Sequence, residues 1–189
     1  MQIGLYFGSF NPIHIGHLII ANHIVQNTAI DKVWFVVSPQ NPLKPSHTLL
    51  NEYHRLHLVE LAIQDNVHFK ASNIEFQLPK PSYTIDTLTY LKEKFPQEIF
   101  SVIMGSDSFQ NLPKWKNAEL LLENYKIFVY QRPNFEVNVD AFPMVTTVQA
   151  PHLDISATFI RQQIKNGKSI QYLVPEAVSE YIEANHYFK

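Results

Sequence analysis

"IGLYFGSFNPIHIGH", residues 3–17, decides how the chain reads. Its first five residues are apolar and closed by Gly8, the pattern of a short buried strand. The next ten follow no core pattern: a glycine turn, a proline and two histidines three apart, leading into a helical pattern. Gly8 lets the chain turn sharply beyond the strand, Ser9 and Phe10 place backbone N–H groups in the turn, and Pro12 stiffens the approach. Gly16 removes a side chain where a ligand presses against the first helical turn. His14 and His17 project to one side. His17 falls near a helix N-terminus, where free N–H groups and the helix dipole favour anions. Such a loop suits a phosphate, and paired imidazoles can stabilise the charge that builds up in phosphoryl or nucleotidyl transfer. His54 and His57 share the spacing but follow no glycine turn, and they read as structural.

Outward from this stretch, apolar runs alternate with helical patterns. Residues 16–27 predict a helix with Leu18, Ala21, Ile24 and Val25 on one face. Strands are predicted at 32–38, 67–72, 99–105, 126–132 and 144–150, and a proline-broken loop at 40–48. A helix at 51–65 turns Leu56, Val59, Leu61 and Ala62 inward. Another follows "PKPS", with Ser82 as N-cap and Ile85, Leu88 and Leu91 on its apolar face. Two helices, at about 156–166 and 175–185, come last. This alternation predicts an α/β fold, a Rossmann-like doubly wound parallel sheet with helices on both faces. Ligands of such sheets bind beyond the carboxyl ends of the strands, here near Gly8, Ser38, Gly105 and Ala150.

Composition narrows the function classes. The chain has 189 residues, a net charge of −2 and no cysteine. It reads as a single domain over 1–189. A near-neutral balance argues against nucleic acid as a partner, and the missing cysteines exclude disulfides and thiolate chemistry. No segment has the length of a membrane span, and the N-terminus is no leader, so the expectation is a soluble cytoplasmic protein. A homo-oligomer is neither required nor excluded. A zinc site is disfavoured, because H-E-x-x-H and cysteine are both lacking.

Two common phosphate-binding solutions fail. "GKS" at 167–169 follows a helix and lacks the first glycine of a Walker loop, and G-x-G-x-x-G is absent. "GSFNPIHIGH" instead resembles the (T/S)xxPxHxGH signature of the nucleotidylyltransferase superfamily. "ISATFIR", residues 155–161, resembles that superfamily's ISSTxIR signature, with Ala157 in place of the second serine. The chemistry agrees: Ser156 or Thr158 can cap a helix and donate a hydroxyl to an anion, and Arg161, one turn on, offers a bidentate fork.

The middle of the chain is more specific. "PSYTIDTL", "MGSDSFQNLPKW", "QRP" and "YLVPEAVSEYIEANHYF" resemble the bacterial nicotinate mononucleotide adenylyltransferases, and the likeness runs nearly end to end. It implies adenylyl transfer from ATP, carried with Mg²⁺, to nicotinate mononucleotide, giving deamido-NAD and pyrophosphate in NAD biosynthesis. It implies that His14, His17 and Arg161 are catalytic. Gly8, Ser9, Phe10, Gly16, Gly105, Asp107, Ser156 and Thr158 would bind ATP beside Arg161, with the helices over about 156–185 completing the phosphate site. Lys44, Tyr83, Thr84 and Trp115 would bind the acceptor, Trp115 by stacking on the flat ring and the N–H groups of Tyr83 and Thr84 by holding its carboxylate. No protein-held metal is implied. Leu43, where the family has His, and Asn11, where it often has Asp, depart from the pattern. The alternatives are another nucleotidylyltransferase, such as a phosphopantetheine adenylyltransferase or a cytidylyltransferase, and a non-catalytic nucleotide-binding module.

Overall fold

A computed structural model describes residues 1–40, 49–151 and 153–189. Six strands, β1 (Gln2–Gly8), β2 (Lys32–Val37), β3 (Phe69–Ser72), β4 (Ile99–Gly105), β5 (Ile127–Tyr130) and β6 (Val145–Val148), form one sheet in the order β3-β2-β1-β4-β5-β6. Every pairing is parallel. The helices are α1 (Ile15–Asn27), α2 (Glu52–Ile63), α3 (Thr84–Lys94), α4 (Ser106–Gln110), α5 (Ala118–Asn124), α6 (Ala157–Lys165) and α7 (Glu176–Ala184).

The strands are apolar on both faces because both faces are covered. Val33, Phe35 and Val37 of β2 pack with α1, α2, α6 and α7, through Ala21, Ile24, Leu58, Val59, Ile160 and Val178. The intervening Trp34 and Val36 turn to the other layer, built on Ile85, Leu88 and Leu91 of α3 and on Phe109 and Leu121 of α4 and α5. The same alternation puts Tyr6 and Tyr130 on the α1 side. Strand order reverses between β1 and β4, so the crevice opens where Gly8 and Gly105 end their strands. That is the topological switch point of a doubly wound sheet.

The six expected strands and the helices flanking them are present, with ends shifted by a few residues. Residues 106–124, whose sequence shows no clear periodicity, carry α4 and α5. The inward face of α2 also differs from the expected one. Leu58, Val59 and Ile63 fill it together with Arg55, which is 0% exposed, while Leu56 and Leu61 are only half-buried. Among the described residues no helix is long and apolar enough to cross a membrane.

Candidate active site

At the end of β1 the chain turns through Phe10, whose φ of 45° lies in the left-handed region that side chains seldom adopt. Burial stabilises the turn: Phe10 is 2% exposed and meets Phe35 edge to face. Gly8 is required by this packing and not by a turn of its own. It lies within β1, and a Cβ there would stand 2.7 Å from the Phe10 ring. Gly16 is likewise explained by a neighbour, since a Cβ would approach His14 Nδ1 to 3.0 Å. The space expected for a ligand at Gly16 is filled by the His14 imidazole.

His14 is the N-cap of α1 and His17 its third residue. The His14 backbone N–H donates to His17 Nδ1 at 3.2 Å, the N3-to-N-cap half of a capping box with imidazole as the acceptor. An accepting Nδ1 puts the ring proton of neutral His17 on Nε2. The two imidazoles stack at 3.7 Å between centroids and 27° between planes, and His17 is flanked by Phe10 at 5.1 Å and Tyr6 at 5.8 Å. Tyr6 in turn donates to the Tyr130 hydroxyl at 3.1 Å. His14 is 4% exposed, and its Nδ1 is buried without a hydrogen-bond partner. Burial, aided by the nearby Arg132 charge, pushes its pKa down to about 4. It is therefore a neutral hydrogen-bonding group at pH 7. The backbone N–H groups of this helix start are less open than the sequence suggests: Ile15 donates to Leu173 O at 3.0 Å and His17 to His14 O at 2.9 Å.

Beneath the loop, Arg55 grips four backbone carbonyls. Its Nε donates to Leu50, Nη1 to Ser9 at 2.6 Å and Ser38 at 2.8 Å, and Nη2 to Pro39 at 3.0 Å. Burial lowers its pKa to about 10, which leaves it charged at neutral pH. One side chain thus fixes the exits of β1 and β2 relative to each other. Asn11 adds a second tie, its Oδ1 accepting from the Leu50 N–H at 3.2 Å. The oxygen that does this exists in Asn and in Asp, so the family departure at this position keeps the contact.

On the far side of the switch point, Asp107 follows Gly105 as expected, and Arg132 Nη1 meets its Oδ2 at 3.2 Å. The Arg132 backbone N–H also donates to the Ser106 hydroxyl at 2.9 Å. Gly105 is needed here, because a Cβ would collide with Asp107 Oδ1 and stand 3.1 Å from the Tyr130 ring. Burial opposes the Arg132 charge, but Tyr130, Asp107 and Tyr6 more than offset that, and its pKa is raised. A permanent cation therefore stands near the paired imidazoles.

Residues from α6 reach the loop that follows β1. Arg161 Nη1 donates to the Asn11 carbonyl at 2.8 Å and Nη2 to Thr158 Oγ1 at 3.2 Å. Ser156 caps α6, accepting from the Phe159 N–H at 3.2 Å. Its hydroxyl proton stays available to an anion.

Two of the expected acceptor residues border the same apolar layer. Tyr83 and Trp115 are half-buried against one apolar cluster, and Lys116 lies 5.0 Å over the Tyr83 ring while bonding Asp86 on α3 at 2.8 Å. Thr84 begins α3, but Ser82 does not cap it. The N-cap is Tyr83, without a side-chain cap, and Ser82 Oγ donates to Glu75 Oε2 at 2.7 Å. Lys44 lies outside the described residues, as does Leu43. His54 and His57 pack on Tyr187 and Tyr181, supporting their structural reading. Among the described residues no group of three or more His, Cys, Asp or Glu is placed to hold a metal ion.

Arg55, Arg132 and Glu75 escape a reading of the sequence. Arg55 shares a helical face with Leu58, Val59 and Ala62, so an arginine inside an apolar stripe is its signal. Arg132 follows β5 directly, at the sheet edge where ligands bind. Glu75, in a short 3₁₀ turn (Ile74–Gln77) with no pattern around it, has none.

A strand–His-x-x-His–helix unit at the switch point, closed by an arginine from the far end of the chain, is a nucleotidyl-transfer arrangement. Residues 5–163 match a family model described as Cytidylyltransferase-like. Over 192 aligned residues, 100% of both chains, the protein is 52% identical to one from Flavobacterium psychrophilum named "Probable nicotinate-nucleotide adenylyltransferase". A Bacteroides thetaiotaomicron protein of the same name is 43% identical over 183 residues, 96% of this chain and 91% of that one. The chain therefore belongs to the cytidylyltransferase-like family and, within it, to the nicotinate-nucleotide adenylyltransferases. The fold agrees with the Plasmodium falciparum nicotinic acid mononucleotide adenylyltransferase complexed with NaAD, at a TM-score of 0.85 and 21% identity over 99% of this chain and 97% of that one.

Proposed function

We propose that this protein transfers the adenylyl group of ATP to nicotinate mononucleotide, giving deamido-NAD and pyrophosphate. The observation that carries the reading is the stacked His14–His17 pair at the switch point, in a loop that Arg161 bonds through the Asn11 carbonyl. The acceptor's 5′-phosphate oxygen attacks the α-phosphorus of ATP in line. A new P–O bond forms, the bond to the bridging oxygen breaks, and the electron pair leaves with pyrophosphate. The attacking phosphate is already an anion, so the chain needs no nucleophile of its own. Its work is positioning and charge stabilisation.

His17, held by its Nδ1 contact, presents Nε2–H to the oxygens that gain charge. Neutral His14 supports it from the next ring in the stack. Arg161, Ser156 and Thr158 hold the β- and γ-phosphates, with the N–H groups of Ser9 and Phe10. Gly105 lets adenosine approach, and Asp107, steadied by Arg132, accepts from a ribose hydroxyl. Mg²⁺ enters as part of the substrate, MgATP. Trp115 stacks on the pyridine ring, and the start of α3 at Tyr83 and Thr84 receives its carboxylate.

The test is pyrophosphate release from MgATP with nicotinate mononucleotide, nicotinamide mononucleotide and phosphopantetheine in parallel. Release with the first, and much less with the second, is expected. Release with phosphopantetheine alone would overturn the acceptor, and silence with all three would leave a binding module.

A further inference from the structure

Glu75 is 2% exposed, and the ion pairs of the described residues include none to it. Buried carboxylates without a cation are uncommon, and they persist only when other groups satisfy them. Here hydroxyls do so. Ser82 Oγ donates to Oε2 at 2.7 Å and Thr87 Oγ1 to Oε1 at 2.9 Å. Burial raises the carboxyl's pKa while these hydroxyls pull it back.

The partners identify what the group holds. Thr87 lies in the first turn of α3, and Ser82 stands two residues before that helix begins. Glu75 therefore joins its own 3₁₀ turn, Ile74–Gln77, to the start of α3. It also diverts the one side chain suited to cap this helix. Ser, followed three residues later by the buried Ile85, is a sequence-level N-cap signal. Yet α3 starts one residue later, from Tyr83, with no side-chain cap, and its hydrogen bonding begins with the Asp86 and Thr87 N–H groups donating to Tyr83 O. Thr87 has a fallback acceptor in Tyr83 O at 3.2 Å. For Ser82, Glu75 is the hydroxyl's partner.

We infer that Glu75 is a positioning residue for the acceptor: by holding the Ser82 hydroxyl it keeps the first-turn N–H groups of α3 uncapped and open to the nicotinate carboxylate. Without Glu75, Ser82 turns to those N–H groups and competes with the substrate from within the chain. The inference rests on the acceptor reading above, so its test separates the two.

KM for nicotinate mononucleotide, KM for MgATP and kcat are measured for the wild type, Glu75→Ala, Ser82→Ala and the double variant. A freed cap is expected to raise the mononucleotide KM of Glu75→Ala about tenfold, with the MgATP KM unchanged within about twofold. Removing the competing hydroxyl in the double variant restores most of that loss, and Ser82→Ala alone stays within about twofold of wild type. If Glu75→Ala does not fold, Glu75→Leu, which fills the space and accepts no hydrogen bond, is measured with and without Ser82→Ala, and the same rescue is required. Two KM values rising together, or a double variant no better than the single one, would overturn the inference and leave Glu75 a structural residue. A wild type inactive on nicotinate mononucleotide would instead sink the acceptor reading itself.

Discussion

The loop at residues 8–17 and the proposed acceptor corner at residues 82–84 and 115 are held by buried side chains of opposite sign, a base and an acid. Under the loop, Arg55 takes up backbone carbonyls. Under the corner, Glu75 takes up hydroxyls. The choice of sign reflects the groups each region must leave facing outward. Both substrates are anions, so both regions need donors at the surface. A guanidinium that consumes carbonyls turns the acceptors of the loop inward. A carboxylate that consumes hydroxyls stops a side chain from covering a helix start. The regions differ in how they are built. The loop is one continuous stretch between a strand and a helix, whereas the corner is drawn from separate parts of the chain.

The sharpest way to break the comparison is Arg55→Met. Four carbonyls lose their donor in the interior, each at about 1–3 kcal/mol, so a loss of about 4 kcal/mol or more is expected in urea unfolding. Arg55→Lys, with fewer donors and no planar fork, should recover only part. A fully stable Arg55→Met would mean that the loop holds itself. Next in size is His17→Ala, which should lower kcat about 10²–10³-fold with little change in either KM. Near-normal turnover would remove His17 from its role.

The buried His14 gives the loop an acid weakness that has no counterpart in the corner. Its folded pKa is about 4 against an ordinary 6.5. Between those values the unfolded chain binds the extra proton, so stability falls as pH drops through 6.5 and levels off below about 4. The full shift corresponds to about 3 kcal/mol. Urea midpoints recorded from pH 7 to pH 4 should slope less for His14→Gln than for wild type, and equal slopes would assign the acid lability elsewhere. The smallest expected effect is at the corner: Trp115→Ala should raise the KM for nicotinate mononucleotide about 3–10-fold and leave MgATP alone.

The same contrast explains how much is legible in the sequence. The paired histidines announce themselves because strand, turn and helix are adjacent in the chain, and an i,i+3 spacing fixes a common side. Gly8 and Gly16 stand out in the sequence, but for a different reason from the one the structure shows. They make room for the Phe10 and His14 rings, whose directions a sequence does not give. Ser82 looks like a cap because its competitor, Glu75, is near only after folding. Arg132 can be placed at the sheet edge but not paired with Asp107, because that pairing depends on β4 and β5 being neighbours. Strand alternation is readable from apolar runs, while the order of the strands is not.

The contacts from Arg161 to the Asn11 carbonyl and from the Ile15 N–H to Leu173 have a consequence for biosynthesis. By the time the ribosome has passed Val148, every strand and both histidines have been made. The Arg161 guanidinium and the carbonyl that receives the first N–H of α1 have not. A nascent chain or a prematurely terminated product thus carries the signature at its front without the clamp from its tail.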